Sequence, residues 1–80
     1  MDGITGITIS FDGTDDDRYG SEMLTSLDGI AIQRSDVLDL AITELATINA
    51  HRAANGLPGV TEVELVVTWS DGTTTTATVQ

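Results

Sequence analysis

The C-terminal stretch 63–79, VELVVTWSDGTTTTATV, decides the fold of this chain. Apolar and polar side chains alternate from Val63 to Trp69, with Val66 as the one exception on the polar side, and this pattern is typical of a half-buried strand. Asp71-Gly72 then indicates a turn, and a threonine-rich segment with high β-propensity follows it. The sequence therefore predicts a β-hairpin at this end of the chain.

The register of this hairpin follows from its apolar face. A two-residue turn would place Trp69 opposite Thr74 and would mix apolar with polar positions. A three-residue loop, 70–72, places Trp69 opposite Thr73 and keeps one face apolar, so we predict a type I turn with Gly72 in the left-handed conformation. This register pairs Val67 with Thr75, Leu65 with Ala77 and Val63 with Val79.

The N-terminal part of the chain begins with a second clear strand pattern. Apolar residues recur with period two between Ile4 and Phe11, and Asp12-Gly13 ends that strand. Residues 12–21 contain two glycines and a block of acidic residues, which predicts an exposed loop. The apolar residues within 23–32 predict a further short strand, with a turn at Asp28-Gly29.

A helix is predicted between the two strand regions. Ser35 or Asp36 can act as its N-cap, and Asp36 and Asp39 suit the positive end of the helix dipole. Gly56 and Pro58 end the helix after about Ala54. The predicted apolar face recurs at spacings of three and four and consists of Leu38, Ala41, Ile42, Leu45, Ile48 and Ala53.

These elements predict one α+β domain over residues 1–80. We expect a small three- or four-stranded, mostly antiparallel sheet in the order β(β)αββ, with one amphipathic helix packed on one face. A chain of this length buries only about 60% of its unfolded surface, so association can supply part of its stability. A homo-oligomer is therefore one expectation.

The net charge of the chain restricts the kinds of partner that it can bind. Thirteen acidic residues against three arginines give a net charge of −10, which repels nucleic acid and anionic membranes. No apolar run is long enough for a transmembrane helix and no signal-peptide pattern begins the chain, so we expect a soluble cytoplasmic protein, or a virion component if the source is viral. Cysteine is absent, so the fold contains no disulfide.

The residues that carry chemistry are few. His51, the only histidine, lies near the end of the predicted helix, where it is more simply a dipole-stabilising cation than a catalytic base. The spacing of Asp15, Asp17 and Gly20 has a superficial likeness to the start of an EF-hand calcium loop, but the twelfth position is Ser26 rather than an acid. We therefore expect no enzyme, no cofactor and no metal site.

Two features can bind a partner. One is an edge strand, because Thr74, Thr76 and Thr78 lie on a terminal strand whose outward positions are uncharged and open to strand addition or simply to water. Trp69 is expected in the core and Tyr19 on the surface. The other feature is an acidic surface made by Asp12, Asp15, Asp16, Asp17, Tyr19, Glu22, Glu62 and Glu64.

Two functions correspond to these surfaces. The first is a non-catalytic protein-interaction or assembly module, such as a small accessory or structural protein of a phage. The second is an inhibitor that mimics nucleic acid, in which carboxylates occupy the basic surface of a host defence or DNA-processing enzyme. The acids are concentrated in residues 1–28 rather than spread along a face, which favours the first function.

Overall fold

The structure, a computed structural model, describes residues 3–15, 17–27 and 30–80; the side chains of residues 15 and 17–19 lie outside that description. These residues form an α+β domain, which confirms the predicted class. A 3-10 turn at Arg34–Asp36 precedes the second helix. The elements are β1 (Ile4–Phe11), β2 (Thr14–Asp15), α1 (Asp17–Ser26), α2 (Val37–Ala54), β3 (Val63–Trp69) and β4 (Thr74–Val79).

The strands form one antiparallel sheet in the order β2-β1-β3-β4. The predicted register of the C-terminal hairpin is confirmed, because Val67 lies opposite Thr75 and Leu65 opposite Ala77. The Gly72 N–H donates to the Trp69 carbonyl at 2.9 Å, and Gly72 has a φ of 87°. A glycine tolerates this left-handed conformation without steric cost.

Both helices pack on the same face of the sheet. α1 lies against β1, and α2 lies against β3 and β4. The alternation of β3 is responsible, since Val63, Leu65, Val67 and Trp69 all point to this face and are buried. The core cluster that joins the two layers contains Ile9, Met23, Val37, Ala41, Val63, Leu65, Val67, Trp69 and Ala77.

The prediction for residues 12–32 is wrong in its elements. The loop expected over 12–21 contains β2 and the start of α1, and the strand expected within 23–32 is replaced by the rest of α1. Gly20, Met23, Leu24 and Leu27 recur at helical spacing, and Gly20 and Met23 are buried. The turn expected at Asp28-Gly29 lies outside the described residues.

Gly20 explains how α1 approaches the sheet. A Cβ at this position would lie well inside van der Waals contact of the Ile7 carbonyl oxygen, which is a backbone atom and cannot rotate away. Glycine therefore allows the helix backbone to rest directly on β1. A glycine in this sequence context usually indicates a loop, but here the close packing of α1 on β1 requires it.

α2 begins and ends where it was predicted, but its N-cap residue does not cap in the predicted way. Asp36 is the N-cap residue, yet its carboxylate caps no helical N–H and accepts instead from the Gln33 N–H at 2.8 Å. Gly56 has a φ of 70°, and Pro58 follows it, as expected for a C-terminal stop. The buried face consists of Val37, Ala41 and Ile48.

Candidate interaction surface

The outer edge of β4 presents unpaired backbone groups. The Trp69 N–H donates to the Thr73 carbonyl at 2.9 Å, so the odd-numbered residues of β4 form the hydrogen-bonded pairs with β3. The N–H and C=O of Thr74, Thr76 and Thr78 consequently point away from β3. In the part of the chain that the structure describes, no strand pairs with this edge.

The side chains of these three threonines lie on the face of the sheet opposite the helices. All three are exposed, whereas Ala77 on the other side of β4 is buried. The predicted edge residues therefore combine outward backbone groups with solvent-facing hydroxyls. A strand added here would extend the ladder without displacing any contact of the core.

One flank of α2 adds an apolar surface next to this edge. α2 runs antiparallel to β3, since Arg34 bonds to Asp71 in the hairpin loop and Asn49, near its other end, bonds to Val60 before β3. Leu38 and Ile42 each follow a buried residue, so the right-handed turn carries them about 100° from the core toward β4. Their side chains are 52% and 49% exposed.

We call this flank, formed by Leu38 and Ile42, the α2 shoulder. The exposure of the two side chains shows that the predicted buried face of the helix was wrong at these positions. Sequence periodicity assigns both residues to the buried side, but the apolar arc of α2 is wider than the sheet can cover. The excess lies on the β4 side. This exposed apolar pair lies beside the open strand edge and adds apolar area to it.

Several side-chain contacts connect the hairpin end of β3 and β4 to the segment before α2. Trp69 is only 2% exposed, which confirms its predicted core position, and its Nε1–H donates to Thr75 Oγ1 at 2.9 Å. Arg34 Nη2 donates to Asp71 Oδ2 at 2.9 Å and to Thr73 Oγ1 at 3.0 Å, and the guanidinium carbon lies 4.9 Å from the indole centroid. This cation–π contact fixes the start of α2 on the hairpin.

Some of the acidic residues meet at the opposite end of the sheet. The Asp12 carboxylate accepts from the Thr61 hydroxyl and from the N–H groups of Thr61 and Glu62, at 2.8 to 2.9 Å. These hydrogen bonds, led by the Thr61 hydroxyl, lower the pKa of Asp12 below its usual value. Asp12 is thus tied to the chain before β3 and contributes to structure as well as charge.

Glu62 and Glu64 lie near Asp12. Glu62 accepts from Gln80 Nε2 at 2.9 Å, and Glu64 is exposed on the open face between Ser10 and Thr78. Asp15 lies in β2 opposite Ser10, and Glu22 is exposed on α1, away from β4. Asp16 and the side chains of Asp15, Asp17 and Tyr19 lie outside the description, so their predicted roles stay predictions.

The remaining candidates give no site. His51 is exposed in the last turn of α2, where it was predicted. The described residues contain no group of three or more His, Cys, Asp or Glu side chains that would hold a metal ion. A membrane-crossing helix, long and apolar enough for that role, is not found among them.

Comparison with known proteins finds no match, since no protein-family model, curated protein or solved structure is significantly similar to this chain.

Proposed function

We propose that this protein is a non-catalytic interaction and assembly module that binds a protein partner by accepting a strand at the outer edge of β4. The observation that carries the proposal is the outward direction of the N–H and C=O groups of Thr74, Thr76 and Thr78 along an edge that no described strand covers. Backbone hydrogen bonds provide the affinity in strand addition. A small structural component of a viral particle is one setting that suits such a module.

The composition of β4 supports this use. Proteins ordinarily protect open edges with lysine, proline, a bulge or a covering element. Residues 74–79 contain neither charge nor proline, and no register shift interrupts their pairing with β3. The strand is instead rich in threonine, which favours extended backbone.

The test is a substitution that removes one outward donor and leaves the fold intact. Thr76 lies opposite Val66 in a pair without mutual hydrogen bonds, so Thr76→Pro deletes an N–H that points to solvent. Thr76→Val is the matched control, because it keeps the N–H and the β-branched shape. We expect partner capture and assembly to be lost with Thr76→Pro and retained with Thr76→Val.

Thermal melting establishes that both variants are folded before binding is compared. Amide hydrogen exchange then locates the contact, since the Thr74, Thr76 and Thr78 amides should become protected only when the partner is bound. A folded Thr76→Pro variant that assembles and captures its partners as well as the unmodified chain would contradict the proposal.

The acidic end of the sheet supports a second proposal, a nucleic-acid mimic that binds the basic surface of a defence or DNA-processing enzyme. The specific observation is that the fold brings Asp12 close to Glu62 and Glu64, although Asp12 is 50 residues from Glu62 in the sequence. Combined Glu62→Gln and Glu64→Gln substitutions should then weaken binding and reduce its salt dependence, with Asp39→Asn on α2 as the control. Binding unchanged by these substitutions but lost with Thr76→Pro would reject the mimic.

A further inference from the structure

The β4 edge and the α2 shoulder together indicate which strand is added. On the basis of the proposed function, we infer that the occupant is β4 of a second copy, in a two-fold dimer centred on Thr76. Antiparallel pairing about a two-fold axis makes the two edges identical and self-complementary. Three observations carry this inference: the direction of the backbone groups, the position of α2 over the sheet, and the local charge.

The backbone groups define the register. With Thr76 opposite its own copy, Thr74 of each chain lies opposite Thr78 of the other. All of these residues have outward N–H and C=O groups, so each pair can exchange two hydrogen bonds. A shift of two residues in either direction leaves an outward residue of the strand unpaired, so the register centred on Thr76 uses the edge most fully.

The helix positions fit the same dimer. α2 packs on both β3 and β4, and adjacent strands are about 4.8 Å apart, so the two α2 helices would lie about 10 Å apart across the new strand pair. Packed helices are about 8–10 Å apart. The α2 shoulders face each other across this gap, which would bury the half-exposed Leu38 and Ile42 side chains.

The local charge gives no attraction to an oppositely charged partner at this edge and permits contact with a second copy. Two chains of net charge −10 repel each other wherever their acids meet. Residues 72–80 contain no charged side chain, and the α2 shoulder is apolar. This neutral region is therefore the surface on which two such acidic chains can meet at the lowest electrostatic cost.

Disulfide trapping tests the register directly, because the chain has no cysteine of its own. In the dimer, the Thr76 Cα atoms of two Thr76→Cys chains would lie about 5.5 Å apart, within disulfide range. The control is Thr8→Cys, which is exposed on β1 and would be about 24 Å from its copy, five strand spacings away. We expect rapid cross-linking of Thr76→Cys and none of Thr8→Cys.

Sedimentation at increasing protein concentration tests the helix contact. We expect the unmodified chain to reach twice the 8.4 kDa monomer mass. The double variant Leu38→Ser with Ile42→Ser should raise the dimer dissociation constant about tenfold or more, because it removes the apolar contact between the shoulders. Leu57→Ser is the matched control, since Leu57 is 50% exposed but lies in the loop beyond α2.

A chain that stays monomeric at every concentration, with Thr76→Cys cross-linking no faster than Thr8→Cys, would overturn the second copy as occupant. In that case, capture of a different protein that Thr76→Pro abolishes would still support strand addition at β4. A dimer that Thr76→Pro leaves intact would show that the copies meet through another surface and would overturn pairing of β4 with β4. The proposed function would then be contradicted only if Thr76→Pro also left capture of other proteins unchanged.

Discussion

The two edges of the sheet differ in how they are covered. On the β1 side, β2 pairs with Ser10 and Phe11, and α1 packs so closely that Gly20 meets the Ile7 carbonyl. On the β4 side, the outward groups of Thr74, Thr76 and Thr78 face no described strand. One sheet thus protects one edge by covering it and leaves the other available for pairing.

Charge follows the same division. The β1 side carries the turn at Asp12 and the exposed Glu22 of α1, whereas β4 has no charged residue. Acidic groups keep the covered side apart from other acidic chains, and their absence permits contact at the open side. Under the proposed function, the surroundings of β4 would specify the binding edge as much as the strand itself does.

Breaking the covered edge should have the largest effect on stability. Gly20→Ala places a methyl group against the Ile7 carbonyl oxygen and forces α1 away from β1. We expect a loss of at least about 3 kcal/mol in the free energy of unfolding, near the upper end for an overpacked core. Chemical denaturation checks this, with Gly6→Ala as the control.

Gly6 is a suitable control because its added methyl would lie 3.7 Å from the Thr68 Cβ, which is ordinary contact. We expect little change in stability there. Equal stability of Gly20→Ala and the unmodified chain would show that α1 does not depend on this close approach.

Proline at the neighbouring position of the open edge should have the next largest effect. Thr75 faces β3, so Thr75→Pro removes a ladder hydrogen bond to Val67 and also the hydroxyl that accepts from Trp69. We expect a loss of about 2 kcal/mol, against almost none for Thr76→Pro. Thr75→Val keeps the N–H and separates the two contributions.

Denaturation curves of Thr75→Pro and Thr76→Pro, recorded at protein concentrations low enough to keep the chain monomeric, provide the measurement. The difference in stability loss between positions 75 and 76 is the essential result. Only in an edge strand does one residue bond to the neighbouring strand while the next has its N–H in solvent. Equal destabilisation of the monomer by the two prolines would mean that both edges of β4 are paired within one chain.

On the covered side of the sheet, a substitution of Asp12 should have a smaller effect on stability. Asn tolerates the positive φ of 49° at this position but lacks the charge, so Asp12→Asn should lower the melting temperature at neutral pH. Because folding lowers the pKa of Asp12, its contribution is present above the unfolded pKa and is lost as pH falls through the folded one. The difference between the two proteins should therefore disappear in acid, as a melting series across pH would show.

We expect the smallest effect on stability from a substitution of Glu44 on α2. Burial raises the pKa of this carboxyl, so its effect on stability is most favourable below the unfolded pKa and is lost as pH rises through the folded one. Glu44→Gln should slightly raise the melting temperature at neutral pH and remove this pH dependence. A variant less stable than the unmodified chain at neutral pH would show that the charged form is stabilised by the fold.

The strands were predictable from the sequence because their signals are local. Period-two alternation located β1 between Ile4 and Phe11, and the requirement for one apolar face determined the β3–β4 register through Gly72. The same register identified Thr74, Thr76 and Thr78 as surface positions. These conclusions need only the geometry of neighbouring residues.

α1 and the α2 shoulder could not be predicted from the sequence, because both depend on tertiary contacts. α1 was missed because an acidic run leads into it and its first turn contains Gly20, two features that usually indicate a loop. Only contact with β1 shows why glycine is required. The α2 shoulder was missed because helical periodicity does not reveal how wide an arc the sheet can cover. The apolar part of the proposed partner surface therefore became visible only when α2 was placed over β4, whereas the β4 edge was predicted.

The fluorescence of Trp69 can be used to follow the folding of this protein. It is the single tryptophan of the chain, and it lies buried beneath the Arg34 guanidinium on the helix side of β3. Its fluorescence should therefore shift to longer wavelength when the core opens to water, and it should stay unchanged when a strand joins the far edge of β4. Emission spectra can thus follow unfolding separately from association in the same sample.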